Sequence, residues 1–236
     1  MTVTAPLPFE RRHTAFVFFA EGTPATDDEW FAALAADTLG THGVVAMQRF
    51  RIADTKPLPG TNPQEFGDGI QFEVEGELAN LIDFLEAKLG TNSARKITLL
   101  PYQPVSRLFD ATPRAGDASQ DDRNLMLIWS TRPEDPGEYD TWYDNVHIAD
   151  FLAVPEVVRA QRFIPVEGAC LPAADTPELG HLALYEVDGD LSPVRDEIKR
   201  QLMSGEMVLP AYMPPPFDAL FLSPTSAYLT ATEVGE

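Results

Sequence analysis

The chain has few of the residues that build disulfides, zinc sites and nucleic-acid surfaces. Its 236 residues include one cysteine, Cys170, which cannot form an internal disulfide, so a reducing cytoplasm is expected. Lysine and arginine number 17 against 37 aspartate and glutamate residues, and the formal net charge is −20. Such an acidic chain is repelled by nucleic acid and anionic membranes, so neither is expected as a partner.

Several sequence signatures are also missing. No run of about 18 apolar residues predicts a membrane-spanning helix, and the N-terminus lacks the basic and apolar blocks of a signal peptide. HExxH, paired CxxC, P-loop, G-x-G-x-x-G and G-x-S-x-G motifs are absent. We therefore expect no protein-held metal, no dinucleotide and no other cofactor.

The chain does contain an internal repeat. Val44–Phe50 resembles Val157–Phe163, and Phe72–Leu78 resembles Tyr185–Leu191. Both pairs have the same offset of 113 residues (157 − 44 and 185 − 72). Two matches in one register indicate a tandem duplication, so differences between the two copies become informative.

Each copy has the same order of predicted elements, β-α-β-β-α-β, which is that of a ferredoxin-like unit. For example, apolar runs rich in β-branched and aromatic residues predict the first strands, Thr14–Ala20 and Asn124–Ser130. We expect an α+β fold in which units 1–112 and 123–236, joined by a linker at 113–122, pack sheet to sheet as a pseudo-dimeric α+β barrel. A homodimer of such pseudo-dimers is left open.

The first helix of the second unit carries polar groups that its counterpart lacks. At about 100° per residue, Tyr139, Tyr143, His147 and Asp150 lie within a quarter-turn of one helix face. The matching residues of the first unit are phenylalanine for Tyr143 and alanine or leucine for His147. This difference predicts one site per chain, although half-exposed polar residues of an ordinary surface helix would give the same pattern.

The candidate site has catalytic and substrate-binding members. His147 is expected to be a general acid or base, Tyr143 to orient it or to donate to an oxyanion, and Asp144 or Asp150 to tune its charge. The substrate-binding candidates are Trp129, Tyr139, Trp142, Phe151, His181 and Tyr185.

Two further expectations follow from matching the two copies. Trp129 matches Phe19 at this level and is expected to line the space under the helix. Arg162 recurs as Arg49, which predicts a role in the fold through an ion pair with Glu186 or Glu73.

The same region resembles the EthD-type branch of the dimeric α+β barrel superfamily. The resemblance rests on Trp142-Tyr143, Val146–Asp150, Val154-Pro155 and Ala160–Phe163. It covers residues 124–230 well and residues 14–109 as a degenerate copy, and it implies that His147 acts as acid or base without a cofactor. The chain departs from the pattern at Glu156, where glycine is common, and in its duplication, because most relatives build the barrel by dimerising.

Together the residues and the resemblance predict a cofactor-independent lyase, isomerase or cyclase. Its small-molecule substrate would be an apolar or aromatic carbonyl or polyketide-like compound. Two alternatives stay open: an oxygenase of the same superfamily, either cofactor-free or with haem bound through His147, and a non-catalytic barrel that binds a small molecule.

Overall fold

The computed structural model describes residues 12–20, 28–53, 58, 61–62, 66–89, 97–111, 119–131, 133, 135–167, 180–210 and 217–232. The described strands are β1 (His13–Ala20), β2 (Val44–Ile52), β3 (Thr61–Asn62), β4 (Phe66–Val74), β5 (Ile97–Pro104), β6 (Phe109–Asp110), β7 (Asn124–Ser130), β8 (Val157–Pro165), β9 (His181–Val187), β10 (Phe217–Pro224) and β11 (Leu229–Thr230). The described α-helices are α1 (Asp28–Thr38), α2 (Ala79–Leu89), α3 (Gly137–Trp142), α4 (Ile148–Leu152) and α5 (Leu191–Ser204), and a π turn (Tyr143–His147) joins α3 to α4. Among these helices, none is both long enough and apolar enough to cross a membrane.

Eight of the described strands close into an antiparallel barrel. Their order is β2-β4-β1-β5-β8-β9-β7-β10, and β10 pairs with β2 to complete the circle. At each seam the last strand of one half pairs with the second strand of the other half, β5 with β8 and β10 with β2. The predicted fold, two ferredoxin-like units forming a pseudo-dimeric α+β barrel, is therefore confirmed. In each half the helices cover one face of the sheet. The other face is buried against the sheet of the other half.

Matching serines fasten the two seams. The Ser106 Oγ accepts a hydrogen bond from the backbone N–H of Arg162 at 3.0 Å. The Ser226 Oγ accepts the corresponding bond from the backbone N–H of Arg49, also at 3.0 Å. Each serine hydroxyl in turn donates to the carbonyl oxygen of the residue that follows it. Because both halves make these bonds, they belong to the fold.

Replacing either serine with alanine is expected to lower the free energy of unfolding by about 1 kcal/mol, because a backbone N–H at the seam loses its acceptor. The two losses should add in the variant that carries both Ser106→Ala and Ser226→Ala, since each serine fastens a different seam. Urea unfolding of the three variants measures these losses. If the double variant is no less stable than one single variant, the seams are not independent.

Apolar side chains fill the inside of the barrel and the two layers between sheet and helices. The interior cluster includes Phe16, Phe50 and Phe163, while the other two clusters lie under the helices of each half. A cavity at one end of the barrel, lined in part by Thr14 and Gln71, has a volume of only about 40 Å³. That volume suits a few water molecules. The described barrel interior therefore has no room for an organic substrate.

The expectation that Trp129 lies under the first helix of the C-terminal half, which begins with α3, is wrong. Its side chain points into the barrel, where Nε1 donates to the Tyr102 hydroxyl at 2.7 Å. The pairing of β1 with β4 and of β7 with β9 aligns β1 with β7 at an offset of 111 residues (124 − 13). The residue that matches Trp129 is therefore Phe18 and not Phe19. A shift of one residue moves a side chain to the opposite face of a strand.

The turn before β8 explains why Glu156 can stand where the first half of the chain has glycine. The matching Gly43 has a φ of +75°, and a Cβ there would lie 2.4 Å from the Glu75 carbonyl oxygen. Glu156 is not among the described residues with positive φ. The Gly43 carbonyl oxygen accepts a hydrogen bond from the Glu75 N–H. The Glu156 carbonyl oxygen accepts the matching bond from the Asp188 N–H, at 2.8 Å. The C-terminal turn thus makes the same contact without needing a glycine.

Some expectations fall wholly or partly outside the described residues. Cys170 is one of them. The expected linker 113–122 is described only from residue 119, where Gln120–Asp122 form a 3-10 turn. The unit boundaries at 112 and 123 therefore stay predictions.

Candidate active site

The first helix of the C-terminal half, which we call the site helix (Gly137–Leu152), contains a one-residue insertion. Asp140 pairs with Arg162, and Asp28 pairs with Arg49, so the two aspartates match. From the aspartate to the start of the next strand there are 17 residues in the C-terminal half and 16 in the other (157 − 140 and 44 − 28). A π turn contains one residue more than an α-helical turn. The π turn of the site helix therefore accommodates the insertion.

His147 ends the π turn and is almost fully buried, with 3% of its surface exposed. The Trp142 indole stacks on the imidazole with ring centroids 4.6 Å apart, and the rings of Tyr143 and Phe151 contact it with centroids 4.8 Å away. The Nδ1 atom has no hydrogen-bond partner among the described residues. Burial lowers the pKa of His147 from 6.5 to about 3, because the enclosed imidazolium would lose its hydration. The imidazole is therefore neutral at neutral pH.

This buried imidazole makes stability depend on pH. The unfolded chain takes up a proton near pH 6.5, whereas folded His147 does so only near pH 3, so its contribution is fully present above pH 6.5 and is lost as the pH falls. Between pH 7 and pH 5 we expect a loss of about 2 kcal/mol from this residue. Urea unfolding of wild type and His147→Phe at both pH values isolates the effect, because the carboxylates are common to both proteins. Equal pH dependence in the two proteins would show that His147 is hydrated.

Two phenols in the same cluster have no polar partner except each other. The hydroxyls of Tyr143 and Tyr185 are fully buried, and neither makes a hydrogen bond of ordinary geometry to a described residue. They form only an irregular hydrogen bond with each other, and the Tyr185 ring stacks on Phe151 with centroids 4.3 Å apart. Burial raises the pKa of both hydroxyls, while the nearby Arg162 charge acts in the opposite direction. Buried polar atoms without a regular hydrogen bond are uncommon, and here three occur in adjoining side chains.

Arg162 in β8 ties the site helix to the sheet. Its side chain is 1% exposed; NH1 donates to Asp140 at 2.8 Å and Nε donates to Asp144 at 2.7 Å. The guanidinium carbon also lies 5.2 Å from the centroid of the Tyr143 ring. Arg162 therefore fixes both the start of the π turn and the ring of one candidate site residue.

The role in the fold expected for this recurring arginine is found, but its expected partners are wrong. Glu186 pairs with Arg123 at 2.6 Å, and Glu73 pairs with Arg12 at 2.8 Å. These two pairs match each other across the repeat. Arg49 and Arg162 instead each hold a helix, through Asp28 in the first half and through Asp140 and Asp144 in the second.

A second histidine, His181 in β9, belongs to a hydrogen-bonded network. Its Nε2 lies 3.3 Å from the Arg162 NH1, and its Nδ1 lies 2.8 Å from the Tyr139 hydroxyl, which is 2.8 Å from the Ser130 Oγ. Because a guanidinium can only donate, Nε2 must accept and the ring proton must lie on Nδ1. Tyr139 then accepts from His181 and donates to Ser130. With their polar atoms engaged, His181 and Tyr139 are suited to positioning their neighbours.

The carboxylates expected beside His147 are not there. Asp144 is held by Arg162, and no described contact joins half-exposed Asp150 to His147. Burial raises the pKa of Asp150, but neither carboxylate contributes to the lowered pKa of His147. The extra residue of the π turn rotates α4 relative to α3, so the spacing of an ideal α-helix does not apply across it.

Sequence reasoning missed Ser130, Asp140 and Arg162 as neighbours of the site. Asp140 and Arg162 recur in the N-terminal half, so comparing the copies assigns them to the fold alone. Ser130 offers a signal, because with β1 and β7 aligned it replaces the buried Phe19 of the other half.

Trp142 separates His147 from an open groove on the outer side of the site helix. The groove has a volume of about 400 Å³. It is lined by Gly137, Glu138, Thr141, Trp142, Asn145 and Val146. A larger depression of about 610 Å³ lies beside β10 and the start of α5, but its lining contains no histidine, cysteine or tyrosine. The groove at Trp142 thus lies next to the ring that stacks on His147.

The described surroundings of His147 do not fit haem. Rings of Trp142, Tyr143 and Phe151 lie with centroids 4.6 to 4.8 Å from the imidazole and occupy the space that a macrocycle would need. Across the described residues, no cluster of three or more His, Cys, Asp or Glu side chains could hold a metal ion. No step proposed below passes through either group.

Comparisons with known proteins agree with the barrel fold. No protein-family model and no curated protein sequence matches the chain. A protein described as anthrone oxidase-like superposes with a TM-score of 0.53 at 11% identity, over 94% of each chain. Chlorite dismutase from Candidatus Nitrospira defluvii gives 0.49 at 11% identity, over 94% of this chain and 93% of that chain. A monooxygenase-like protein from Listeria innocua gives 0.42 at 12% identity, over 94% and 100%.

The likeness to the anthrone oxidase-like protein shows a shared fold and no more. The architecture is that of an α+β barrel built from two ferredoxin-like units. Identities this low do not separate the EthD-type branch from other branches, so membership of that branch stays a prediction.

Proposed function

We propose that the chain is a cofactor-independent oxygenase that acts on a small aromatic carbonyl or phenolic compound. In this proposal His147 removes a proton from carbon, and the resulting carbanion reacts with O2. The observation that carries the proposal is the Nδ1 of a buried, neutral imidazole with no partner among the described residues, next to two phenols that make no regular hydrogen bond to any of them. The lyase, isomerase or cyclase predicted from the sequence would share the first step and differ in the fate of the carbanion.

A neutral imidazole in an apolar cluster can act as a base when the substrate supplies the compensating charge. Because its pKa is lowered to about 3, His147 is in the base form throughout the neutral range. Proton transfer creates an imidazolium beside a carbanion, and the two opposite charges offset the burial that disfavours the imidazolium alone. A positioned base of this kind contributes roughly 10²–10⁴-fold to a reaction rate.

The oxygen step needs no external reductant. For a methylene group between aromatic rings, proton removal gives a delocalised carbanion, and reaction with O2 converts CH2 to C=O. One oxygen atom enters the product as the carbonyl and the other leaves as water, so four electrons pass from the methylene group to O2. The anthrone oxidase-like neighbour, which shares the fold, supports testing this substrate class first.

Substrate access requires Trp142 to move. The described residues leave no substrate-sized space around His147, and the Trp142 indole covers one face of the imidazole. The groove of about 400 Å³ on the other side of Trp142 is within the size range of small-molecule sites. An aromatic compound that binds in the groove would replace the indole as the ring stacked on His147.

Oxygen consumption with anthrone as the probe tests the proposal. Anthrone should consume O2 faster with the purified protein than without it. A metal chelator should not change this rate, and 18O2 should label the ketone product. Rearranged, cyclised or cleaved products without O2 uptake, found with other carbonyl probes, would favour the lyase, isomerase or cyclase. Saturable binding without turnover of any probe would leave the non-catalytic barrel.

A further inference from the structure

We infer that the hydroxyls of Tyr143 and Tyr185 together bind the oxygen of a phenolate or enolate, as an anion site made of two phenols. This inference rests on the proposed function for its part in turnover. Binding of the anion itself can be measured without turnover.

The two hydroxyls differ from those of the other described tyrosines. Tyr139 bonds with His181 and Ser130, Tyr102 accepts from Trp129 and Tyr228 donates to Glu73. The hydroxyls of Tyr143 and Tyr185 are just as buried as those of Tyr139 and Tyr102, yet make no regular hydrogen bond to a described residue and have only an irregular one with each other. Leaving a buried hydroxyl unpaired is costly, which indicates that a ligand atom completes the pair.

The duplicated half shows that the rings alone are sufficient for packing. With the tryptophans aligned, Phe31 stands at the position of Tyr143, and the second match of the repeat places Phe72 at the position of Tyr185. Both phenylalanines are buried in the N-terminal core. The C-terminal half therefore carries two additional buried oxygen atoms that the fold does not need.

The surroundings favour an anionic oxygen on an aromatic ligand. Two O–H groups that face each other can both donate to a single acceptor, and hydrogen bonds to a charged acceptor are stronger than neutral ones. The guanidinium of Arg162 lies over the Tyr143 ring, with 5.2 Å between its carbon and the ring centroid. Phe151 stacks on Tyr185 and supplies an aromatic wall. An oxygen bound here would also be next to the base, His147.

Binding of 4-nitrophenol tests the inference, because its phenolate has a visible absorption band that its neutral form lacks. Wild type should bind the phenolate about tenfold more tightly than the neutral form, and bound probe should therefore ionise at lower pH than free probe. Tyr143→Phe and Tyr185→Phe should each weaken phenolate binding by about tenfold and change binding of the neutral form much less. Tyr228→Phe, which removes a partnered hydroxyl elsewhere, is the matched control and should behave as wild type.

Several outcomes would overturn the inference. They are equal loss of both forms in the two variants, unchanged phenolate binding, and no binding of 4-nitrophenol by the folded wild type. Thermal unfolding of each variant confirms that the fold is retained, as the matching phenylalanines lead us to expect. Phenolate binding should persist in His147→Ala. If that variant binds phenolate and wild type consumes no O2 with anthrone, the anion site stands and the proposed oxygenase activity fails.

Discussion

Replacing His147 with alanine is expected to reduce the rate of O2 consumption with anthrone by about 10²–10⁴-fold. The physical reason is that no other unpartnered base is described in the cluster: Asp144 is held by Arg162, and His181 is held by Arg162 and Tyr139. The measurement is kcat in an oxygen electrode at neutral pH.

His13→Ala is a matched control for this prediction. His13 also has a buried, unpartnered Nδ1 and a pKa lowered by burial, but it lies in β1 at the end of the barrel and away from the site helix. Its replacement should leave kcat within about twofold of wild type, since a residue that touches no reacting group contributes no transition-state stabilisation. If kcat is unchanged in folded His147→Ala, the base assignment is wrong.

Replacing Arg162 with methionine is expected to lower the free energy of unfolding by about 3 kcal/mol. Methionine fills part of the volume, but Asp140 and Asp144 lose their shared cation and His181 loses the donor to Nε2. The two carboxylates keep 30% and 32% of their side-chain surface exposed, so water limits the loss to the low end of the range for a broken buried pair. Urea unfolding at pH 7 measures it.

The repeat supplies the control for Arg162. Arg49 has the matching position, but its partner Asp28 has 92% of its side chain exposed, so the pair is largely solvated. Arg49→Met should therefore cost only about 1 kcal/mol. Similar losses in the two variants would mean that Arg162 contributes no more than its structural counterpart and that the network around His181 is not stabilised by it.

The fold could be predicted because it depends on patterns that recur along the chain. Strand β7 (Asn124–Ser130) has the bounds expected from its apolar run, and β1 (His13–Ala20) begins one residue before the expected Thr14. The duplication doubled the evidence for the element order, and the open face of each sheet required a partner.

The site was only partly predictable because its contacts join distant segments. Comparing the copies singled out Tyr143 and His147, and both lie in the aromatic cluster, although their chemical roles stay proposals. The same comparison could not orient Asp150, because helical spacing fails across a π turn. It also misplaced Trp129, because an error of one residue reverses the face of a strand.

By itself, the sequence determined the duplicated α+β architecture and the packing of the two sheets against each other. It also determined which half of the chain carries the extra polar groups. Local periodicity and repetition are written in neighbouring residues, so they can be read without coordinates. Only the tertiary structure decided that one inserted residue becomes a π turn and that Arg162 holds Asp140 and Asp144. It also decided that polar atoms of His147, Tyr143 and Tyr185 make no regular hydrogen bond to the described residues. Burial and hydrogen bonding depend on which segments meet in space, and these are the properties that give the site its chemistry.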